Sequence, residues 1–119
     1  MAKILAVDDS PSMRKMVHTT LMSGGHDVIL ADDGEHALEM ANSENVELVI
    51  TDVYMPKLDG IGLVQKLREI ESYKYIPMLM LTTESSSEMK MKGKHAGATG
   101  WIVKPFVPKN LLATIDKVL

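Results

Sequence analysis

Acidic side chains follow two short apolar runs of this sequence. Asp8 and Asp9 come directly after residues 3–7, and Asp52 comes after residues 48–50 and Thr51. If the fold gathers these carboxylates, each pair at roughly 4 Å costs about 4 kcal/mol at an effective dielectric of about 20. Such a cluster needs raised pKa values or a cation. Oxygen ligands without nearby His or Cys suit Mg²⁺, which also seeks phosphate oxygens.

A hydroxyl and an amine stand in equivalent positions farther along the chain. Thr82 ends the fourth apolar run, and Lys104 follows the fifth. Beside a metal, such groups bind phosphoryl oxygens. Each residue also has an ordinary alternative: Asp52 as a helix or turn cap, Thr82 as a helix N-cap, and Lys104 as a solvated surface lysine. Their common position after apolar runs favours one shared site.

The composition narrows the class of protein. The 119 residues contain no cysteine and have a net charge of -3, which excludes thiol chemistry and disfavours a general nucleic-acid binder. No apolar run approaches the roughly 18 residues of a membrane span, and no targeting segment stands out, so the expected location is cytoplasmic. The four histidines lack metal-ligand spacing. The length suits a single domain over residues 1–119, with no output domain.

Apolar runs alternate with helical patterns along the whole chain. The predicted strands are residues 3–7, 28–31, 46–51, 78–81 and 101–103, and the predicted helices are residues 11–23, 37 to about 43, 63–70, 84–96 and 111–119. Serines and Gly93 predict that the fourth helix is loosely held. Five such units predict a flavodoxin-like α/β fold, a three-layer sandwich with parallel sheet order 2-1-3-4-5. In that order the acids meet at the carboxyl ends of the first and third strands.

These residues and their neighbours resemble the receiver domains of two-component response regulators. The resemblance covers essentially the whole chain and is carried by Asp8-Asp9, Asp52 with Met55-Pro56 and Asp59-Gly60, Thr82, and Lys104-Pro105-Phe106. Within the family the chain is most similar to the single-domain chemotaxis regulators of the CheY type. That closer likeness is carried by Val-Asp-Asp-Ser-Pro-Ser-Met-Arg near the start and Gly-Ala-Thr-Gly-Trp-Ile-Val-Lys-Pro-Phe near the end.

The resemblance implies a phosphoacceptor that is not an enzyme in the strict sense but assists its own phosphorylation and dephosphorylation. Asp52 would accept a phosphoryl group from a histidine of a CheA-like sensor kinase. Mg²⁺ would be held by Asp9, Asp52 and the backbone carbonyl of Tyr54, with Asp8 acting through water.

The resemblance also implies how the signal leaves the site. Lys104 would pair with the phosphoryl group and join Pro105 through a cis peptide. Thr82 would move to hydrogen-bond the phosphoryl group, and Trp101 would shift inward from solvent. The fourth helix, fifth strand and fifth helix of this monomer would then bind a flagellar motor switch protein or another output protein, and a phosphatase would end the signal.

Several residues depart from the family pattern. Trp101 is larger than the usual Tyr or Phe, and Thr83 replaces a more usual Ala. Tyr54 and Glu84 stand two residues after the acceptor aspartate and the switch threonine, where the family tunes the access of hydrolytic water. The lifetime of the phosphorylated state is therefore left open by the sequence.

Other classes fit the sequence less well. A Mg²⁺-dependent phosphatase of the haloacid dehalogenase type needs an aspartate two residues after the nucleophile, where this chain has Tyr54. A flavodoxin would cradle phosphate in its first loop, and Asp8-Asp9 would repel it. Within the receiver family, a phosphorelay or stress-response receiver that does not act on the motor remains the alternative.

Overall fold

Five parallel strands form the central layer of the computed structural model, which describes residues 2–119. They are β1 (Lys3–Val7), β2 (Asp27–Ala31), β3 (Leu48–Thr51), β4 (Met78–Thr82) and β5 (Gly100–Val103). Their order in the sheet is β2-β1-β3-β4-β5, and every neighbouring pair is parallel. The predicted flavodoxin-like α/β fold and strand order are confirmed.

Helices cover both faces of the sheet. They are α1 (Pro11–Ser23), α2 (Gly34–Ser43), α3 (Gly60–Arg68), α4 (Ser87–Ala96) and α5 (Pro108–Val118), with a short 3-10 helix at Glu71–Tyr73. One apolar cluster includes residues of α2, α3 and α4, and a second includes residues of α1 and α5. Within residues 2–119, none of the helices has the length and apolar character that crossing a membrane requires.

The central strand β3 is buried on both faces. Val49 joins the cluster beneath α2 and α3, whereas Leu48 and Ile50 join the cluster beneath α1 and α5. This alternation follows from the period of two along a strand. Burial on both sides explains why the segment is a continuous apolar run. The strand ends at Thr51, and Asp52 is the first residue after it.

The ends of α1 lie where the sequence predicts them. The Ser10 hydroxyl accepts a hydrogen bond from the backbone N–H of Met13, and Pro11 occupies the first turn. These are the expected signals of a helix start. At the other end the Gly24 N–H bonds to carbonyls of the last turn, and Gly25 has a φ of 82°.

The fourth helix begins later than the sequence predicts. It starts at Ser87 rather than Glu84, because Ser86 is the N-cap that accepts the Met89 N–H. Glu84 instead belongs to the loop between β4 and α4. Smaller differences are that β3 begins two residues later than predicted and that Ile70 lies just after α3.

Candidate functional site

The carboxyl ends of β1 and β3 lie side by side and bring three acids together. Val7 is paired with Thr51, and the Asp52 N–H donates to the Val7 carbonyl at 3.0 Å. Asp8, Asp9 and Asp52 each offer a carboxylate oxygen, and these oxygens lie within 4.8 Å of one another. Asp8 is buried, Asp52 is half-buried and Asp9 is exposed. An oxygen-only cluster open on the Asp9 side fits a hard divalent cation.

Main-chain amides fix one oxygen of each of the two inner acids. Asp52 Oδ1 accepts the Val53 N–H at 2.7 Å, and Asp8 Oδ1 accepts the Ser10 N–H at 2.9 Å. Because these amides belong to the loops that follow the strands, both carboxylates are held in one orientation. The second oxygen of each acid is turned toward Lys104.

Lys104 bridges the two inner acids. Its Nζ lies 2.6 Å from Asp8 Oδ2 and 2.9 Å from Asp52 Oδ2, and its side chain is 9% exposed. Burial lowers the pKa of Lys104, but the hydrogen bonds to Asp8 and Asp52 outweigh it, and the pKa is raised above its ordinary value. The alternative of a solvated lysine is therefore wrong. Part of the positive charge that the acidic cluster requires comes from the chain itself.

Thr82 lies at the same edge, one strand away from Asp52. It is fully buried, its Oγ1 accepts the Glu84 N–H at 3.2 Å, and its carbonyl accepts the Lys104 N–H at 2.8 Å. Thr82 does not cap α4, since Ser86 does so. Asp52 likewise does not cap α3, whose N-cap is Asp59. The helix-cap alternatives for both residues are therefore wrong, although the Asp52 carboxylate does accept the Val53 N–H of the following loop.

The β3–α3 loop passes so close to the N-terminus of α3 that it requires a glycine there. A Cβ added to Gly60 would lie 2.0 Å from the Asp52 carbonyl oxygen. The Gly60 N–H also donates to the Val53 carbonyl at 2.7 Å, and the Thr51 hydroxyl donates to the Asp52 carbonyl at 2.9 Å. In the sequence, Gly60 stands out only as part of the Asp59-Gly60 pair. Its position three residues before the apolar Leu63 is compatible with a helix start, but the close approach has no local signal.

Tyr54 and Glu84 form a hydrogen bond across the site. The Tyr54 hydroxyl donates to Glu84 Oε1, and Glu84 Oε2 accepts the Ser86 N–H at 3.0 Å. The hydrogen bond from Tyr54 is the main cause that lowers the pKa of Glu84, and it raises the pKa of Tyr54. The two residues expected to tune hydrolysis therefore act on each other. The backbone carbonyl of Tyr54 as a metal ligand stays a prediction.

Trp101 lies half-buried beneath α4. Its indole Nε1–H donates to the Glu84 carbonyl at 2.7 Å, and its ring packs against Gly93. The side chain is thus half-buried rather than in solvent, and the missing Cβ of Gly93 leaves room for its ring. The next residue of the site after β5, Lys104, precedes a cis peptide bond to Pro105.

Asp9→Ala should separate metal binding from stability. Within residues 2–119 the Asp9 carboxylate has no ion-pair partner, so its removal relieves repulsion without breaking a salt bridge. We expect unfolding in urea without metal to show unchanged or slightly increased stability, by at most about 1 kcal/mol. Isothermal titration should show clearly weaker Mg²⁺ binding. Unchanged Mg²⁺ affinity would place the metal elsewhere.

Known proteins share this fold and sequence over nearly the whole chain. The family model described as response regulator receiver domain matches residues 4–116. Chemotaxis protein CheY4 of Vibrio cholerae is 50% identical and superposes with a TM-score of 0.96, covering 100% of this chain and 99% of that one. A chemotaxis protein CheY homologue of Campylobacter jejuni is 38% identical over 98% of this chain and 92% of its own length.

Longer proteins match equally well. A probable transcriptional regulator ycf27 of Porphyridium aerugineum is 45% identical over 98% of this chain, but the match covers 48% of that protein. The chain thus spans about half the length of the ycf27 relatives that it matches. Sequence similarity therefore identifies the phosphoacceptor module better than it identifies the output that the module controls.

Proposed function

The chain belongs to the response regulator receiver domain family, and from this membership we propose that it carries a two-component signal as a phosphoryl group on Asp52. A receiver is a phosphoacceptor signalling module, and its partner is a histidine kinase. The observation that carries the proposal is the position of Asp52 at the end of β3, within reach of Lys104 and two further acids.

The transfer would be a displacement at phosphorus. An Asp52 carboxylate oxygen forms the new O–P bond, and the N–P bond to the kinase histidine breaks with its electrons left on the imidazole nitrogen. Asp9, Asp52 and the Tyr54 carbonyl would hold Mg²⁺, with Asp8 acting through water. The metal would neutralise charge on the phosphoryl oxygens.

Lys104 and Thr82 would bind the phosphoryl group once it is attached. The Lys104 ammonium already lies 2.9 Å from Asp52 Oδ2, so a small shift brings it to a phosphoryl oxygen. The Thr82 oxygen accepts the Glu84 N–H, which leaves its O–H free to donate. Hydrogen bonds to the charged phosphoryl group are stronger than neutral ones. Lys104 and Thr82 would therefore interact more strongly with phosphorylated Asp52 than with the free carboxylate.

Over the phosphoacceptor, Tyr54 and Glu84 would limit hydrolysis. Their hydrogen bond joins the β3–α3 loop to the β4–α4 loop, and both side chains would have to separate before water could approach Asp52 from that side. This arrangement supports a long-lived phosphorylated state that a phosphatase would end.

The proposed output is control of chemotaxis through the flagellar motor. Support comes from the match to CheY4 of Vibrio cholerae and to the CheY homologue of Campylobacter jejuni along nearly the whole chain. On α4, the exposed Lys90 and Lys94 lie beside Trp101 of β5, which suits an acidic segment of a partner protein.

A receiver that serves a phosphorelay or a stress response is the alternative output. Binding of beryllofluoride-treated protein to a motor switch peptide would separate the two, because only the motor function requires the activated protein to bind more tightly than the untreated one. Equal and weak binding of both forms would favour the alternative.

Phosphorylation tests the proposed function directly. Incubation with acetyl phosphate and Mg²⁺ should add the mass of one phosphoryl group, and Asp52→Asn should abolish the adduct. Asp59→Asn is the matched control, because Asp59 is a nearby exposed aspartate whose capping of Gly62 an asparagine can replace. Full labelling of Asp52→Asn, or loss of labelling in Asp59→Asn alone, would contradict the assignment.

A further inference from the structure

The indole of Trp101 is held from two sides by groups of the β4–α4 region. We propose that Trp101, Gly93 and the Glu84 carbonyl form a fixed unit, the Trp101 staple, which keeps Trp101 beneath α4 whether or not Asp52 is phosphorylated. The regulatory meaning of this inference rests on the proposed function. Trp101 is then a positioning residue for the β4–α4 loop and not a moving switch.

The first half of the staple is a match in size between Gly93 and Trp101. Gly93 is buried on α4, and a Cβ added there would lie 2.6 Å from Trp101 Cζ3 and 3.2 Å from Cε3. Contacts this short require the ring or the helix to move. Glycine is unfavourable inside a helix, yet it occupies the position of α4 that faces the indole. The largest side chain and the smallest residue therefore compensate each other.

The second half is a hydrogen bond. The indole N–H is the single donor of the side chain, and it reaches the Glu84 carbonyl at 2.7 Å. The same residue, Glu84, donates its N–H to Thr82 Oγ1 and accepts from the Tyr54 hydroxyl. Trp101 thereby holds Glu84 in place, and Glu84 contacts both Thr82 and Tyr54.

Rotation of Trp101 toward solvent would cost both contacts at once. It would leave a void against Gly93 and leave the Glu84 carbonyl without its indole partner, and both losses are unfavourable. Neither contact uses Asp52 or any atom that a phosphoryl group would add. A ligand shifts a conformational equilibrium only by its differential affinity for the two states. Phosphorylation therefore has little effect on whether Trp101 lies beneath α4 or in solvent. The signal would pass through Thr82, whose O–H can turn to the phosphoryl group while its oxygen keeps the Glu84 N–H.

Because Trp101 is the single tryptophan of the chain, its indole gives one N–H resonance and all of the tryptophan fluorescence. In metal-free protein we expect slow hydrogen exchange of the indole N–H and weak quenching by acrylamide. Beryllofluoride with Mg²⁺ should leave both unchanged, while ¹⁹F NMR shows that beryllofluoride is bound. If the indole N–H becomes protected only after beryllofluoride binds, Trp101 is a moving switch and the staple is overturned.

Substitution of Gly93 tests the size match without any phosphoryl chemistry. In metal-free Gly93→Ala, we expect emission at longer wavelength, stronger acrylamide quenching and faster indole exchange. The control is Lys92→Ala, an exposed neighbour on the same helix, which should leave the indole unchanged. A tryptophan environment in Gly93→Ala identical to that of the unmodified protein would overturn the staple.

A double variant keeps the test informative if Gly93→Ala folds poorly. Gly93→Ala with Trp101→Phe restores room for the Cβ, so its thermal midpoint should exceed that of Gly93→Ala alone. A double variant less stable than Gly93→Ala would contradict the size match. If the unmodified protein is not labelled by acetyl phosphate while Gly93→Ala shows the expected changes in fluorescence and indole exchange, the proposed function is overturned and the Trp101 staple is supported.

Discussion

Lys104→Met should destabilise the metal-free protein by about 3 kcal/mol, the low end of the cost of breaking a buried ion pair. The ammonium contacts Asp8 and Asp52 at 2.6 and 2.9 Å. Methionine keeps much of the apolar stem, so the loss reports the charge rather than the packing. Both carboxylates would then lie close together without their cation, and Asp9 would add to the repulsion. Urea unfolding at neutral pH measures the difference.

The pH dependence of this effect follows from the raised pKa of Lys104. Its ordinary value is 10.5, and the folded value lies above it. A raised folded pKa means that the stabilisation is fully present below the unfolded pKa and is lost as the pH rises through the folded pKa. The difference in stability between the unmodified protein and Lys104→Met should therefore stay constant near neutral pH and shrink above about 10.5.

The same substitution should strengthen Mg²⁺ binding while impairing phosphorylation. Removal of a positive charge about 4 Å from a cation site is worth about 1 kcal/mol even in water, which corresponds to an affinity about fivefold higher. Phosphoryl transfer should be slower because the phosphoryl group loses its cationic partner. Saturating Mg²⁺ should restore much of the lost stability, since it binds only the folded protein.

Lys94→Met is the matched control, because Lys94 is exposed on α4 and far in the sequence from the acids. It should change neither Mg²⁺ affinity nor stability beyond about 0.5 kcal/mol. Unchanged stability and Mg²⁺ affinity in Lys104→Met would show that the ammonium is not the partner of Asp8 and Asp52 in solution.

The fold was predictable because its signals are local. Each strand appears as a short apolar run, α1 begins at a Ser-Pro pair, and the alternation of strands and helices leaves few topologies. The register that places Val7 beside Thr51 then follows from the parallel sheet. The meeting of Asp8, Asp9 and Asp52 was therefore accessible from sequence, since it needs only the order of the strands.

The contacts within the site were not predictable in the same way. The bond from Lys104 to Asp8 joins residues 96 positions apart, and the bond from Trp101 to Glu84 joins residues 17 apart. Their geometry depends on side-chain packing that no periodic pattern encodes. The role of Gly93 is of this kind, because glycine is unfavourable inside a helix but makes room for Trp101 in the folded protein. The later start of α4 also depends on contacts between distant residues, because hydrogen bonds to Tyr54 and Trp101 hold Glu84 in the β4–α4 loop.

Gly60→Ala should lower stability by about 3 kcal/mol or more, at the upper end of the usual cost of overpacking. The new Cβ would lie 2.0 Å from the Asp52 carbonyl oxygen and 3.0 Å from the Val53 Cα. Both obstacles are backbone atoms, which cannot turn aside as a flexible side chain can. Relief requires the start of α3 or the Asp52 peptide to move.

The matched control is Gly25→Ala at the end of α1. Gly25 has a φ of 82°, but a Cβ there would meet no atom within 4 Å. Its cost is the strain of a left-handed backbone alone, about 1 to 2 kcal/mol. Comparison of the two alanine variants separates backbone strain from steric overlap, because each glycine presents only one of the two problems.

Measurements of function should distinguish Gly60→Ala from Gly25→Ala even more clearly than measurements of stability. Movement of the Asp52 peptide in Gly60→Ala would displace the carboxylate from Lys104 and from the other acids, so Mg²⁺ affinity and acetyl phosphate labelling should both fall. Gly25 lies at the opposite end of α1 from Asp9, so Gly25→Ala should label at the normal rate at temperatures where it is folded. If Gly60→Ala labelled normally and lost no more stability than Gly25→Ala, α3 would be able to shift without moving Asp52. The close approach of Gly60 would then not position the phosphoacceptor.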